Sequence, residues 1–110
     1  MPRKNRLGRR EVGLIFRRGG RVQHSLAWGR FLMVEGEPKV GFGVSGNVRQ
    51  AVVRNRLKRL FREAARSLLP RLKKGWLMVV VKPEAVGSPL DRVRECMAAL
   101  CEKAGMMDVG

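Results

Sequence analysis

The chain has 110 residues, with 24 Lys and Arg against 9 Asp and Glu and a formal net charge of +15. That length suits one small core, burying roughly 60 to 70% of the unfolded surface without metal or disulfide support, and the charge attracts polyanions from beyond contact range. No apolar run is long enough to cross a membrane and none follows the basic N-terminus as in a signal peptide, so nucleic acid is the expected partner and the cytoplasm the expected location.

The same composition argues against catalysis by the polypeptide. His24 is the only histidine, with no third group placed to orient it, and it reads as a surface or strand residue rather than a base. There is no carboxylate pair, no phosphate-cradling glycine loop and no metal-ligand cluster. Cys96 and Cys101, five apart, are misaligned for a bridge and match no zinc spacing, so they read as buried reduced thiols. No cofactor, metal or small-molecule substrate is expected for the protein itself.

Residues 1–6 are basic and polar and are expected to be mobile, either available to phosphates or simply solvated. Val12, Ile15 and Phe16 have the spacing of a short amphipathic helix from Arg9, which Gly13 weakens by about 1 kcal/mol and Gly19-Gly20 stops. Val22 to Val34 lacks a helical stripe and reads as one strand, paired through the turn Glu35-Gly36-Glu37-Pro38 with Val40, Phe42 and Val44. Those three alternate with Gly41, Gly43 and Ser45, leaving one face almost bare.

Ala51 to Arg66 carries the most clearly opposed pair of faces. On a helix, Arg54, Asn55, Lys58, Arg59, Arg62 and Arg66 share one arc, opposite Val53, Leu57, Leu60, Phe61, Ala64 and Leu68. Burying a large apolar side chain contributes about 1.5 to 3 kcal/mol, whereas like charges on a helix cost roughly 0.2 to 0.5 kcal/mol per pair, so packing holds the charged arc together. Arg54, Lys58, Arg59 and Arg62 are each expected to neutralise a phosphate. The helix fades at Leu69-Pro70.

Trp76 to Val81 is continuously apolar, as in an inner strand. Ser88 as N-cap, Pro89 at the first helical position and Asp91 signal a last helix. It buries Leu90, Val93, Met97, Leu100, Cys101 and Ala104, stops at Gly105, and leaves 106–110 as a mobile end. The expected order is helix, two or three strands, helix, strand, helix, in one domain over 1–110. The economical fold is an α+β two-layer sandwich with parallel strands flanking the basic helix and an antiparallel early hairpin.

The run Val52-Val53-Arg54-Asn55-Arg56-Leu57-Lys58-Arg59-Leu60-Phe61-Arg62-Glu63 resembles the RNR-x-KR-x-x-R signature of the bacterial ribonuclease P protein component. Arg9-Arg10 through Phe16 and Gly19 resembles that family's first helix, Val40-Gly41-Phe42-Gly43-Val44-Ser45 its V-G-x-x-V-S strand, and Trp76 to Val81 its inner strand. The resemblance implies a mixed four-stranded sheet with a left-handed crossover, against the usual right hand that the residues alone would suggest. It implies a subunit that binds a catalytic RNA, which with magnesium ions removes the 5′ leader of precursor tRNA. Arg54, Asn55, Arg56, Lys58, Arg59 and Arg62 would dock on that RNA, although Arg56 falls outside the basic arc, nearer Leu60.

The family's leader-binding cleft corresponds to Val12, Phe16, Trp28 and Arg30. Val12 and Arg30 replace frequent aromatics and Trp28 replaces a smaller aliphatic, so Trp28 is either a relocated stacking surface or core, and Arg30 either stacks or pairs a phosphate. Ser45-Gly46-Asn47-Val48-Arg49-Gln50 lacks two lysines common in the family, with Arg49 a partial substitute. A ribosomal-type RNA-binding protein fits charge and fold equally well apart from the motif. A DNA-binding module lacks a partner helix before Ala51.

Overall fold

The computed structural model describes residues 1–108. The elements are α1 (Arg9–Arg18), β1 (Gly20–Gln23), β2 (Ala27–Leu32), β3 (Lys39–Val44), α2 (Ala51–Leu68), β4 (Trp76–Val81) and α3 (Leu90–Lys103), with short 3-10 turns at Arg3–Asn5, Leu69–Arg71 and Pro83–Ala85. The sheet is mixed and ordered β1-β2-β4-β3, with β3 parallel to β4 and the other pairs antiparallel. The parallel strands flanking the basic helix are as expected.

The expected hairpin between the 22–34 segment and β3 does not form. That segment contributes to two strands, β1 and β2, joined through His24–Leu26, and β4 inserts between β2 and β3. The turn contains neither glycine nor proline. The His24 ring supplies the acceptor instead: Leu26 N–H donates to Nδ1 at 3.2 Å, and the His24 amide donates to the Ala27 carbonyl at 2.9 Å. β4 takes an inner place because both its faces are apolar: Leu77, Val79 and Val81 are fully buried on one, while Trp76, Met78 and Val80 are half-buried on the other.

The main core lies between the sheet and α2/α3. Val40, Leu77, Val79 and Val81 meet Leu57, Phe61 and Ala64 of α2 and Val93, Met97, Leu100 and Cys101 of α3 there. Each large side chain so buried contributes about 1.5 to 3 kcal/mol. The sheet and these two helices make the two-layer sandwich; α1 lies across the other face, against β2 and β4, with Ile15 fully buried. Cys96 and Cys101 are free and buried, and burial pushes their thiols up to about 11 and about 12.

Both ends depart from expectation. Asn5 is buried and its amide donates to the Pro38 carbonyl at 2.8 Å, while Arg6 bridges to Val40 at the edge of β3. At the other end Gly105 takes a left-handed φ of 78° and the Met106 amide donates to the Cys101 carbonyl at 2.9 Å, a Schellman closure. The residue after such a glycine turns back onto the helix, so Met106 and Met107 are buried rather than mobile. The rest of that expectation, 109–110, lies outside the described residues. Ser88 does not cap α3; Pro89 is the N-cap, and no side chain bonds the helix start.

Candidate nucleic-acid interface

α2 places its apolar stripe on the core, as the spacing predicts, with Leu57, Phe61, Ala64 and Leu68 buried and Val53 and Leu60 packed against them. The opposite side carries an open concavity of about 380 Å³ lined by Met1, Asn55, Lys58, Arg59, Arg62, Glu63 and Arg66. Four predicted docking residues therefore share one surface: Asn55, Lys58, Arg59 and Arg62. Among the described residues the one ion pair there is loose and exposed, between Arg66 and Glu63 at 3.8 Å, worth little in water. Met1 was not foreseen in this wall. It arrives because the N-terminal segment is held by Asn5 and by the Arg6 Nε bond to the Met1 carbonyl at 3.2 Å.

Arg54 and Arg56 do not line that concavity. Arg56 is exposed beside it, matching its place outside the basic arc. Arg54 is half-buried and turned the other way: Nη1 donates to the Ser45 and Val48 carbonyls at 2.9 and 2.8 Å, and Nη2 to the Val44 carbonyl at 3.1 Å. Its guanidinium fastens the end of β3 and the 45–48 turn to the first turn of α2. Arg54 was expected to neutralise a phosphate; in this structure three of its hydrogen bonds go to backbone carbonyls instead. A wheel assigns direction but not the carbonyls within reach, and the carbonyls win because they are close and fixed.

A second cluster lies on the α1 face of the sheet. Register sets Arg21 opposite Arg30 and Gln23 opposite Trp28, with Met78 and Val80 of β4 next along those rows, and alternation points Trp28 and Arg30 away from the main core. Trp28 is half-buried against Phe16, edge-on with ring centroids 6.3 Å apart. Of the two alternatives for Trp28, the main core is thus excluded. Arg30 lies 5.6 Å from the centre of the Phe16 ring and donates to the Phe16 and Gly19 carbonyls at 3.2 and 3.0 Å, closing the end of α1. Val12, one helical turn before Phe16, is half-buried.

Arg21, absent from the predicted set, stacks over Trp28 at 4.8 Å from the ring centre. Its signal was the β1–β2 register, hidden by reading 22–34 as one strand. On β3, a Cβ at Gly41 would stand 3.1 Å from Leu7 and from the Met78 sulfur, so the bare face there is closely covered rather than vacant. α1 is anchored by Glu11, which accepts from the Gly8 amide and from Lys39 Nζ, each at 2.6 Å. Burial would raise the Glu11 carboxyl, but the hydrogen bonds from Lys39 and Gly8 and the Lys39 charge outweigh it and hold the group below its usual range.

Among the described residues no three His, Cys, Asp or Glu side chains gather as a metal site, and no helix is long and apolar enough to cross a membrane. The molecule is in class a small, strongly basic α+β protein, presenting arginine, lysine and aromatic rings on two surfaces.

The family model described as Ribonuclease P matches residues 1–105, and the chain belongs to that family. A ribonuclease P protein component of Symbiobacterium thermophilum is 40% identical over 70 residues, covering 63% of this chain and 61% of that protein. One from Synechococcus sp. is 32% identical over 124 aligned positions, covering 98% of each. The match spans less than two thirds of several relatives, 39% of a Cyanothece protein and 53% of a Chloroflexus aurantiacus one. Among solved structures, the RNase P protein of Thermotoga maritima has a TM-score of 0.79 at 26% identity, covering 89% of this chain and 96% of that one. A mutant Staphylococcus aureus RNase P protein has a TM-score of 0.84 at 17% identity over 94% and 90%, which shows the shared fold.

Proposed function

We propose that this chain is the protein subunit of a ribonuclease P ribonucleoprotein, assisting endonucleolytic removal of the 5′ leader from precursor tRNA. The observation that carries the reading is the α2 surface, where Asn55, Lys58, Arg59 and Arg62 line one open concavity in a chain of this family. Phosphates of the catalytic RNA dock on that ridge, each neutralised cation releasing condensed counterions. Arg56, exposed beside the ridge, reaches a neighbouring strand of the same RNA.

The precursor's leader runs along the face between α1 and the sheet. Phe16 and Trp28 offer ring faces for its bases, Val12 extends the apolar wall, and the Arg21 and Arg30 guanidiniums lie over the rings. The RNA carries the chemistry and holds the magnesium ions, and the protein contributes affinity and position. The setting is the cytoplasm, where tRNA precursors are made.

The test is cleavage of precursor tRNA by the catalytic RNA at low magnesium, with and without protein. The protein should accelerate cleavage at the mature 5′ end and cleave nothing alone. Cleavage by RNA-free protein, or no acceleration by a protein that binds the RNA, would sink the reading.

A further inference from the structure

A separate group of cations stands at the opposite edge of the sheet from β3. β1 is that edge, and it turns into β2 through His24–Leu26. Lys82, just after β4, donates from Nζ to the His24 carbonyl at 2.6 Å, and Lys103, in the last turn of α3, donates to the Gln23 carbonyl at 2.7 Å. Two ammonium groups are thus held at consecutive peptides. Arg92 lies on the same stripe of α3 as Lys103, eleven residues or three turns away, and its charge also acts on the imidazole.

None of Lys82, Arg92 and Lys103 forms an ion pair with a carboxylate among the described residues. Glu95 is the acid whose charge reaches the ring, and the neighbouring Cys96 thiol is uncharged, pushed up to about 11 by burial. Positive charge therefore converges on one turn with little compensation.

The histidine adds a directed donor. Nδ1 accepts from the Leu26 amide at 3.2 Å, with the Ser25 hydroxyl 3.5 Å away, so in the neutral ring the proton sits on Nε2. Burial and then the charges of Lys103, Arg92 and Lys82 hold the ring's pKa below its ordinary value, which favours the neutral form. Each ammonium keeps further N–H groups beyond the one used on a carbonyl. A tetrahedral oxyanion accepts from several such donors at once and relieves their mutual repulsion.

We infer that the His24 turn, together with Lys82, Arg92 and Lys103, is a second phosphate-binding site that takes a backbone phosphate of RNA on the flank away from the α2 ridge. Two cationic edges let one small protein hold two RNA segments apart at a set distance. Only the source of the phosphate rests on the subunit reading; the anion site does not.

Inorganic phosphate titrated into the free protein tests the site directly, because His24 is the only histidine and its ring resonances need no assignment. A saturable shift is expected, with the ring's pKa rising as phosphate binds. Arg92→Gln with Lys103→Gln, both exposed on α3, should weaken that response by about tenfold. The pair Lys58→Gln and Arg62→Gln, on the other edge, should leave it intact. No response at His24, or one indifferent to the α3 pair, would overturn the site.

For the source, affinity for the catalytic RNA is measured across a salt series. The α3 pair should lower the log–log slope by about 1 to 2, and an unchanged slope would overturn RNA as the origin of the phosphate. A protein that binds phosphate at His24 yet fails to accelerate precursor cleavage would sink the subunit reading while leaving this site standing.

Discussion

The α2 ridge and the α1–β2 cleft are both rich in arginine, yet they commit their donors differently. On the ridge, Arg59, Arg62 and Arg66 are exposed, and among the described residues the α2 arginine that donates to backbone carbonyls is Arg54, not one of these three. In the cleft, Arg30 is bonded to two carbonyls and lies over Phe16, and Arg21 is stacked on Trp28. A cation whose donors face water is a phosphate ligand in waiting. A cation already bonded and stacked acts mainly through shape and through its flat face. Binding at the ridge should therefore be governed by salt, and binding in the cleft by stacking.

The sharpest test of that contrast replaces Lys58, Arg59 and Arg62 with Gln. If each neutralises a phosphate, the log–log salt slope for catalytic RNA should fall by about 2 to 3. Gln preserves helix propensity, and removing the Lys58–Arg62 repulsion relieves about 0.2 to 0.5 kcal/mol, so thermal unfolding should be unchanged or slightly later. An unchanged slope in a folded triple variant would show that the ridge does not dock RNA.

The cleft should respond in the opposite way. Trp28→Ala should weaken binding of precursor tRNA, relative to leaderless mature tRNA, by about 1 to 3 kcal/mol, the usual worth of a base stacked on an aromatic ring. The salt slope should stay where it was. Equal losses for both tRNAs, with circular dichroism showing an intact fold, would reduce Trp28 to a packing partner of Phe16. A falling slope would erase the distinction between the two regions.

Much of this was legible because it depends on spacing. The α2 stripe, the inner strand at 76–81 and the stop at Gly105 follow from periodicity and from residues with restricted or permissive backbones. What escaped depends on where a side chain finds a partner far along the chain or on an unusual acceptor. The β1–β2 turn uses an imidazole rather than glycine, proline or asparagine, so no turn residue announced it, and Arg21 was lost with it. The packed ends were missed for related reasons. Asn5 reaches Pro38, 33 residues away, and burial of Met106 follows from the chain reversal at Gly105, a step beyond recognising the helix stop. Arg54 is the instructive case, since a wheel gives its direction but not the three carbonyls that it meets.

Arg54 offers the finest division of the comparison, because it lies on α2 but behaves like the cleft arginines. Its three hydrogen bonds hold the carbonyls of Val44, Ser45 and Val48, and Gln is too short and too poor in donors to reproduce the fork. Hydrogen bonds to charged groups contribute about 1.5 to 3 kcal/mol each, and because neighbouring bonds are not additive and the site is only half-buried, Arg54→Gln should lower unfolding free energy by about 1.5 to 3 kcal/mol in all. RNA affinity should fall as the β3–α2 junction loosens and the ridge loses its fixed aim. The salt slope should nevertheless stay within about 0.5 of wild type, because no phosphate contact has been removed. Denaturant unfolding and the salt series on the same variant measure both quantities. A slope that drops by about 0.7 to 0.9 with stability unchanged would return Arg54 to the phosphate ligands, and the line between free and committed arginines would then have to be redrawn within α2 itself.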